Sequence, residues 1–291
     1  MELTPLARLA AAGALVAVTA AFTSRLLPDA VAAPTAMYVV QDLSIPASDA
    51  AAAGRLAKSS RHGEYVMIPA GNGDSLRAYV VYPERKDKAP VVVVIEDIYG
   101  FGSWIKGVGD QLAADGFIAV VPDLLTGAGV ADGDSAVRAA SPGLIRTLKR
   151  EDVQRRIAAA GTYGMSLPAA VKKYGVVGYC WGGSTVFTHA VDAAKVGAVV
   201  VYYGGPPTAA ELTKINAPIL AHYGGNDARI NASIPATDSV MKSLKKRYDY
   251  TIYDGAGHGF LRQQEGSPAN LDATKKAWPK TIAFFRETLG K

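Results

Sequence analysis

Three residue types in this chain stand where they could do nucleophilic chemistry. Cys180 lies in Gly178-Tyr179-Cys180-Trp181-Gly182-Gly183, after the apolar run Tyr174-Gly175-Val176-Val177 and before a helix-like segment at 184–194. A glycine-x-nucleophile-x-glycine pattern between strand and helix presents the nucleophile on a sharp turn, where side chains on the flanking residues would clash. The start of the helix sets backbone N–H groups and a positive dipole end beside the sulfur, which favours a thiolate. It also offers the N–H of Trp181 to a developing oxyanion. So short a pattern is weak alone; its place between a buried strand and a helix gives it weight. No Gly-x-Ser-x-Gly competes with it, and Cys180 is the single cysteine of the chain. The plainer alternative for a lone cysteine is a small buried hydrophobe.

Acid and base are sought downstream, in the chain order nucleophile, acid, histidine. The run 219–223 leads into Gly224-Gly225-Asn226-Asp227, and the run 250–253 into Asp254-Gly255-Ala256-Gly257-His258-Gly259-Phe260. Asp227 and His258 thus each follow the carboxyl end of a strand, where open α/β sheets place their sites. His258 would take the thiol proton and return it to the leaving oxygen, with Asp227 fixing the imidazole tautomer. An Asx turn is the plainer reading of Asp227, and a hydrogen-bonded loop residue that of His258. His62, His189 and His222 precede a strand, lie in a helix and lie in a strand, placements that read as structural.

The elements that must position these residues follow from periodicity. Short β-branched runs at 64–68, 76–82, 91–96, 117–121, 175–179, 198–203, 219–223 and 248–253 read as strands. Several, such as Val91-Val92-Val93-Val94-Ile95, are apolar without alternation, as strands buried on both faces are. Helical spacing recurs near 104–115, 151–173, 182–194, 231–246 and 268–288. The alternation predicts one α/β domain at 61–291, a mostly parallel sheet of about eight strands covered by helices on both faces. The first two strands suit an antiparallel hairpin at one edge.

The 291 residues, 49% hydrophobic and 20% charged, allow a sizeable core. The net charge of +5 comes with no long basic run. The densest patch, 242–247, has the helical spacing of a solvated face, so nucleic acid is not expected as a partner. One cysteine excludes an internal disulfide and a cysteine-based zinc cluster, and no metal-ligand cluster is present. Residues 9–22 form a 14-residue apolar stretch, shorter than the ~20 residues of a membrane span. With Ala30 and Ala32 making an A-x-A site, residues 1–32 read as a signal peptide. The protein is then exported, periplasmic or secreted, with no stable membrane span after processing. A cytoplasmic or N-terminally anchored protein is the alternative. Residues 33–60, rich in alanine, serine and proline without a period, read as a leader segment without regular structure.

Taken together, Gly-Tyr-Cys-Trp-Gly-Gly at 178–183, Gly-Gly-Asn-Asp at 224–227 and Gly-His-Gly-Phe at 257–260 resemble the dienelactone hydrolase (carboxymethylenebutenolidase) family. Glu96-Asp97-Ile98-Tyr99-Gly100 and Val121-Pro122-Asp123-Leu124 agree, so the likeness covers about residues 61–290. It implies the α/β-hydrolase fold, a Cys180-His258-Asp227 triad, no cofactor, and hydrolysis of an enol-lactone such as dienelactone. It further implies an oxyanion hole from the N–H groups of Ile98 and Trp181, and an arginine for the substrate carboxylate at Arg262. Two positions depart. The family's glutamate beside the resting thiol is replaced by Asp97, Glu96 being sent to the other side by strand alternation. A family arginine after Pro-Asp-Leu is replaced by Gly127, which makes a less acidic ester or another lactone as good a candidate as dienelactone.

The expected reaction is attack of the Cys180 thiolate on an ester or lactone of small-molecule size, through a thioester that water then hydrolyses. A broad carboxylesterase and a catalytically silent exported binding protein are the rival readings. A redox sensor is disfavoured, because no second cysteine is present to resolve an oxidised sulfur.

Overall fold

The structure is a computed structural model that describes residues 42–290; the expected signal peptide at 1–32 lies outside the described residues. Among these, eight strands form one sheet in the order β1-β2-β4-β3-β5-β6-β7-β8. The strands are β1 (Gly63–Gly71), β2 (Asp74–Val81), β3 (Ala89–Ile95), β4 (Ile118–Pro122), β5 (Ala170–Tyr179), β6 (Val196–Tyr202), β7 (Ile219–Gly224) and β8 (Tyr248–Tyr253). β1 and β2 pair antiparallel at one edge, and β2 runs antiparallel to β4. From β4 to β8 all neighbours are parallel. Each expected strand is present.

The unbroken apolar runs are explained by a core on either side of the sheet. Val91, Val93 and Ile95 of β3 face one core, with Val153 and Ile157 of α4 (Arg150–Ser166) and Phe187 of α5 (Trp181–Asp192). Val92 and Val94 face the other, with Trp104 and Leu112 of α2 (Ser103–Ala114) and Trp278 and Phe285 of α9 (Pro268–Leu289). Period-two side chains meeting apolar layers above and below leave no polar face.

Three stretches differ from expectation. The helix expected over 151–173 ends at Ser166, and β5 begins at Ala170. Pro168 steers Leu167 into extended backbone (φ −60°, ψ 139°) and so ends the helix. The helix α3 (Asp134–Ile145) is additional; Pro142 and Gly143 in its last turns mask its period. The segment expected to lack regular structure, 33–60, contains α1 (Asp49–Leu56), preceded by buried Ile45 and Ala47. Tertiary contacts hold it: the Asp49 N–H donates to the Arg262 carbonyl at 2.9 Å, and Gln264 Nε2 to the Pro46 carbonyl at 2.9 Å. Residues 33–41 lie outside the described residues. The compact body therefore begins before residue 61. The remaining helices, α6 (Ala209–Leu212), α7 (Ala228–Asn231) and α8 (Ile234–Ser243), follow β6 and β7.

Candidate active site

Cys180 ends β5 and caps α5 with φ 56° and ψ −113°, a backbone state that residues with a Cβ hold only when their surroundings impose it. Here the imposition is backbone packing. A Cβ on Gly178 would stand 2.1 Å from the Gly182 carbonyl oxygen, and one on Gly183 2.6 Å from that of Tyr202. The Cys180 N–H donates to the Tyr202 carbonyl at 3.0 Å. The turn is thus clamped between β6 and its own helix. The sulfur is carried to the carboxyl end of the sheet, and Trp181 stands as the first helical residue, whose N–H has no intrahelical acceptor.

The acid and histidine loops pack glycine against glycine. A Cβ on Gly224 would come 2.5 Å from the Gly257 carbonyl oxygen, and the Asn226 N–H donates to the Ala256 carbonyl at 2.9 Å. Asp227 is buried; its Oδ1 accepts from the Ile230 N–H at 3.4 Å, which caps α7, and its Oδ2 lies 2.5 Å from His258 Nδ1. A carboxylate only accepts, so Nδ1 carries the proton and Nε2 is free to accept from the thiol, 3.0 Å away at Cys180 Sγ. Burial pushes the His258 imidazole down, but its hydrogen bonds to Cys180 and Asp227 outweigh this and hold it above the ordinary histidine range. The row Cys180-His258-Asp227 is geometrically able to move a proton from sulfur to nitrogen and to stabilise the resulting cation.

Ile98 and Asp97 follow β3 and stand at the same end of the sheet. The Asp97 carboxylate accepts the Tyr99 N–H at 2.9 Å and is held by Arg262 Nη1 at 3.0 and 2.9 Å. The structure therefore joins Asp97 to Arg262, while the hydrogen bond of the thiol goes to His258. Burial raises the Asp97 carboxyl despite the opposing pull of Arg262. Arg262 differs from the expectation of a cation open to substrate: it is 7% exposed, and its Nη2 holds Asp49 of α1 at 2.6 Å. Its guanidinium also stacks on Tyr99 (4.7 Å) and Trp104 (5.0 Å). The physical reason is α1, whose carboxylate satisfies the face of the arginine that Asp97 leaves over. Glu96 is fully buried on the opposite side, as alternation requires; burial pushes its carboxyl well up, and Oε1 accepts the Leu124 N–H at 3.3 Å.

Three neighbours escape a reading of sequence motifs. Asp49 had a signal, since Ser48-Asp49 before an alanine run is a helix start. Arg138 of α3, which pairs with Asp49 and stacks on Tyr99 at 4.5 Å, has none in the local sequence. Nor has Tyr203, at φ 41°, whose buried hydroxyl has no hydrogen-bond partner and whose ring lies 5.1 Å from His258. The other described histidines are structural. His189 bonds Gln154 and Tyr174 at 2.8 and 3.0 Å, His222 bonds Tyr253 and Thr281 at 2.9 and 3.0 Å, and His62 stacks on Tyr82.

Comparison with known proteins agrees with this geometry. A Salmonella typhimurium protein that carries the name carboxymethylenebutenolidase is 26% identical over 84% of this chain and 97% of its own. A Bradyrhizobium protein named as a 2-oxo-3-(5-oxofuran-2-ylidene)propanoate lactonase is 30% identical over 74% of this chain and 90% of its own. Among solved structures, the dienelactone hydrolase from Anabaena variabilis superposes with a TM-score of 0.62 at 20% identity, over 79% of this chain and 100% of that one. A dienelactone hydrolase-like promiscuous phosphotriesterase from metagenomic libraries does so with a TM-score of 0.67 at 22% identity, over 79% and 99%. At such identities these two establish the α/β-hydrolase fold alone. The model of the dienelactone hydrolase family matches residues 76–289, a span that holds the elbow, the acid loop and the histidine loop, and the chain belongs to that family.

Proposed function

We propose that this protein is a carboxylic ester hydrolase that cleaves an ester or enol-lactone through Cys180, His258 and Asp227. The observation that carries the reading is the row in which His258 lies 3.0 Å from a sulfur held at a left-handed elbow and 2.5 Å from a buried carboxylate. His258 takes the thiol proton, and the thiolate adds to the acyl carbon, its negative oxygen resting on the N–H groups of Trp181 and Ile98. The bond to the leaving oxygen breaks as His258 returns the proton to it, which leaves a thioester on Cys180. Water then attacks that carbonyl with His258 as base, and the acid departs with the thiol restored. An enolate leaves more readily than an alkoxide, which favours enol-lactones and activated esters. Residues 1–32 would direct export, and intact-mass analysis of secreted material would find cleavage after Ala32.

The burial of Arg262 between two carboxylates favours the second reading, a carboxylesterase for neutral esters. Both readings are tested with full-length protein and Cys180→Ala, by following p-nitrophenyl acetate and dienelactone side by side. Turnover by the wild type alone supports the nucleophile, and the ratio of the two substrates separates lactonase from esterase. Equal turnover by both proteins, or none by either while folded, overturns the assignment.

A further inference from the structure

The environment of Arg262 contains a ligand that the chain supplies to itself. Asp49 opens α1, and its two carboxylate oxygens are divided between two arginines: Oδ1 accepts from Arg262 Nη2 at 2.6 Å, and Oδ2 from Arg138 Nη1. Both guanidiniums lie over the ring of Tyr99, at 4.7 and 4.5 Å. Two arginines set on one aromatic ring with a carboxylate between them form a carboxylate clamp, because planar guanidinium forks match that geometry. The clamp borders the candidate site through the chain itself. Tyr99 follows Ile98, and Arg262 closes a turn onto Gly259, next to His258 (N–H to carbonyl, 3.0 Å). With Asp97 on the other edge of Arg262, two arginines face two carboxylates, and the formal charge of the cluster is zero. A substrate carboxylate arriving there would have to displace Asp49, which the backbone bond from its N–H to the Arg262 carbonyl holds in place.

We infer that Asp49 is a specificity-determining residue: it occupies the Arg138–Arg262 clamp and so selects substrates without a free carboxylate near the scissile bond. Its side chain is 32% exposed and that of Arg138 is 50% exposed, so the clamp is within reach of solvent once the carboxylate is gone. The inference rests on the proposed Cys180 chemistry as far as turnover is concerned, but the binding it predicts does not.

The test compares the full-length wild type, Asp49→Asn and Asp49→Glu on p-nitrophenyl acetate and p-nitrophenyl hydrogen succinate. The ratio of kcat/KM, succinate ester to acetate, is expected to rise at least about tenfold in Asp49→Asn, mainly through KM, the equivalent of one lost charge-assisted contact. Asp49→Glu, which keeps the charge, is expected to keep the wild-type ratio; a purely structural role would move both variants alike. Asp49→Ala replaces the amide if that variant does not fold. Calorimetric titration of succinate into Cys180→Ala, with and without Asp49→Asn, needs no turnover, and tighter binding in the double variant is expected. A ratio within twofold of wild type together with unchanged succinate binding overturns the inference. Failure of the Cys180 assignment would instead show as turnover by Cys180→Ala.

Discussion

Gly182 lies so close to the end of β3 that a Cβ on it would stand 2.2 Å from the carbonyl oxygen of Glu96. The obstacle is backbone on a central strand, so neither side can give way cheaply. This approach brings the start of α5, with Cys180 and Trp181, against the strand that continues into Asp97 and Ile98. Gly182→Ala is expected to destabilise the protein by about 2 kcal/mol or more, the range of overpacked cores, and to lower turnover by moving Ile98 away from Trp181. Urea unfolding measures the first effect. A variant within about 0.5 kcal/mol of wild type would show that the elbow tolerates a side chain and that the close approach is not needed.

Asp227 holds His258 in the tautomer that leaves Nε2 free, and caps α7 with its other oxygen. Asp227→Asn keeps a carbonyl oxygen for the cap but can present an N–H to the imidazole, which turns the tautomer round. The expected result is a fall in kcat of about 10³–10⁴ at a nearly unchanged unfolding midpoint. A fall of less than tenfold in a folded variant would mean that the carboxylate has no part in orienting the histidine.

The sheet, the elbow and the two downstream loops were legible because each is a local pattern. Uninterrupted valines mark a strand between two cores, and glycines at Gly178, Gly182, Gly183 and Gly224 mark places where backbone meets backbone. What was not legible depends on partners distant in the chain. Arg262 looks like an open cation until α1 arrives 213 residues away in sequence, and nothing around Arg138 says that it will share a carboxylate with Arg262. Asp97 likewise reads as a neighbour of the thiol from its place after β3, but a buried carboxylate takes the nearest fork of hydrogen bonds, and Arg262 supplies it.

This difference can be measured. Were Arg262 an open substrate-binding cation, Arg262→Ala would raise KM for anionic substrates and leave stability almost untouched. With Asp97 buried beneath it and Asp49 on its other nitrogen, the same change strands a buried carboxylate, a loss of about 3–5 kcal/mol. Urea unfolding of the variant at neutral pH distinguishes the two. A midpoint close to wild type would return Arg262 to the substrate.

Acid sensitivity should come from the core histidines rather than from His258. Burial pushes His189 down to about 4 and His222 to about 3, so both stay neutral in the folded protein while their unfolded counterparts take up protons below about 6.5. The unfolded state then binds more protons, and each histidine removes up to about 1.4 kcal/mol of stability for every pH unit between 6.5 and its folded value. His258 works in the opposite sense. Its folded value is raised, so its contribution is complete below the unfolded value and is lost only as pH rises through the folded one. Glu96, raised by burial, also gains as pH falls and masks part of the histidine loss. A difference measurement removes that masking. His222→Gln keeps polar atoms for Tyr253 and Thr281 but cannot titrate, so between pH 5.5 and 4.5 it should lose about 1.4 kcal/mol less than the wild type in urea unfolding, whatever its stability at neutral pH. Parallel loss in the two proteins would mean that His222 is already protonated, or reached by water, in the folded state.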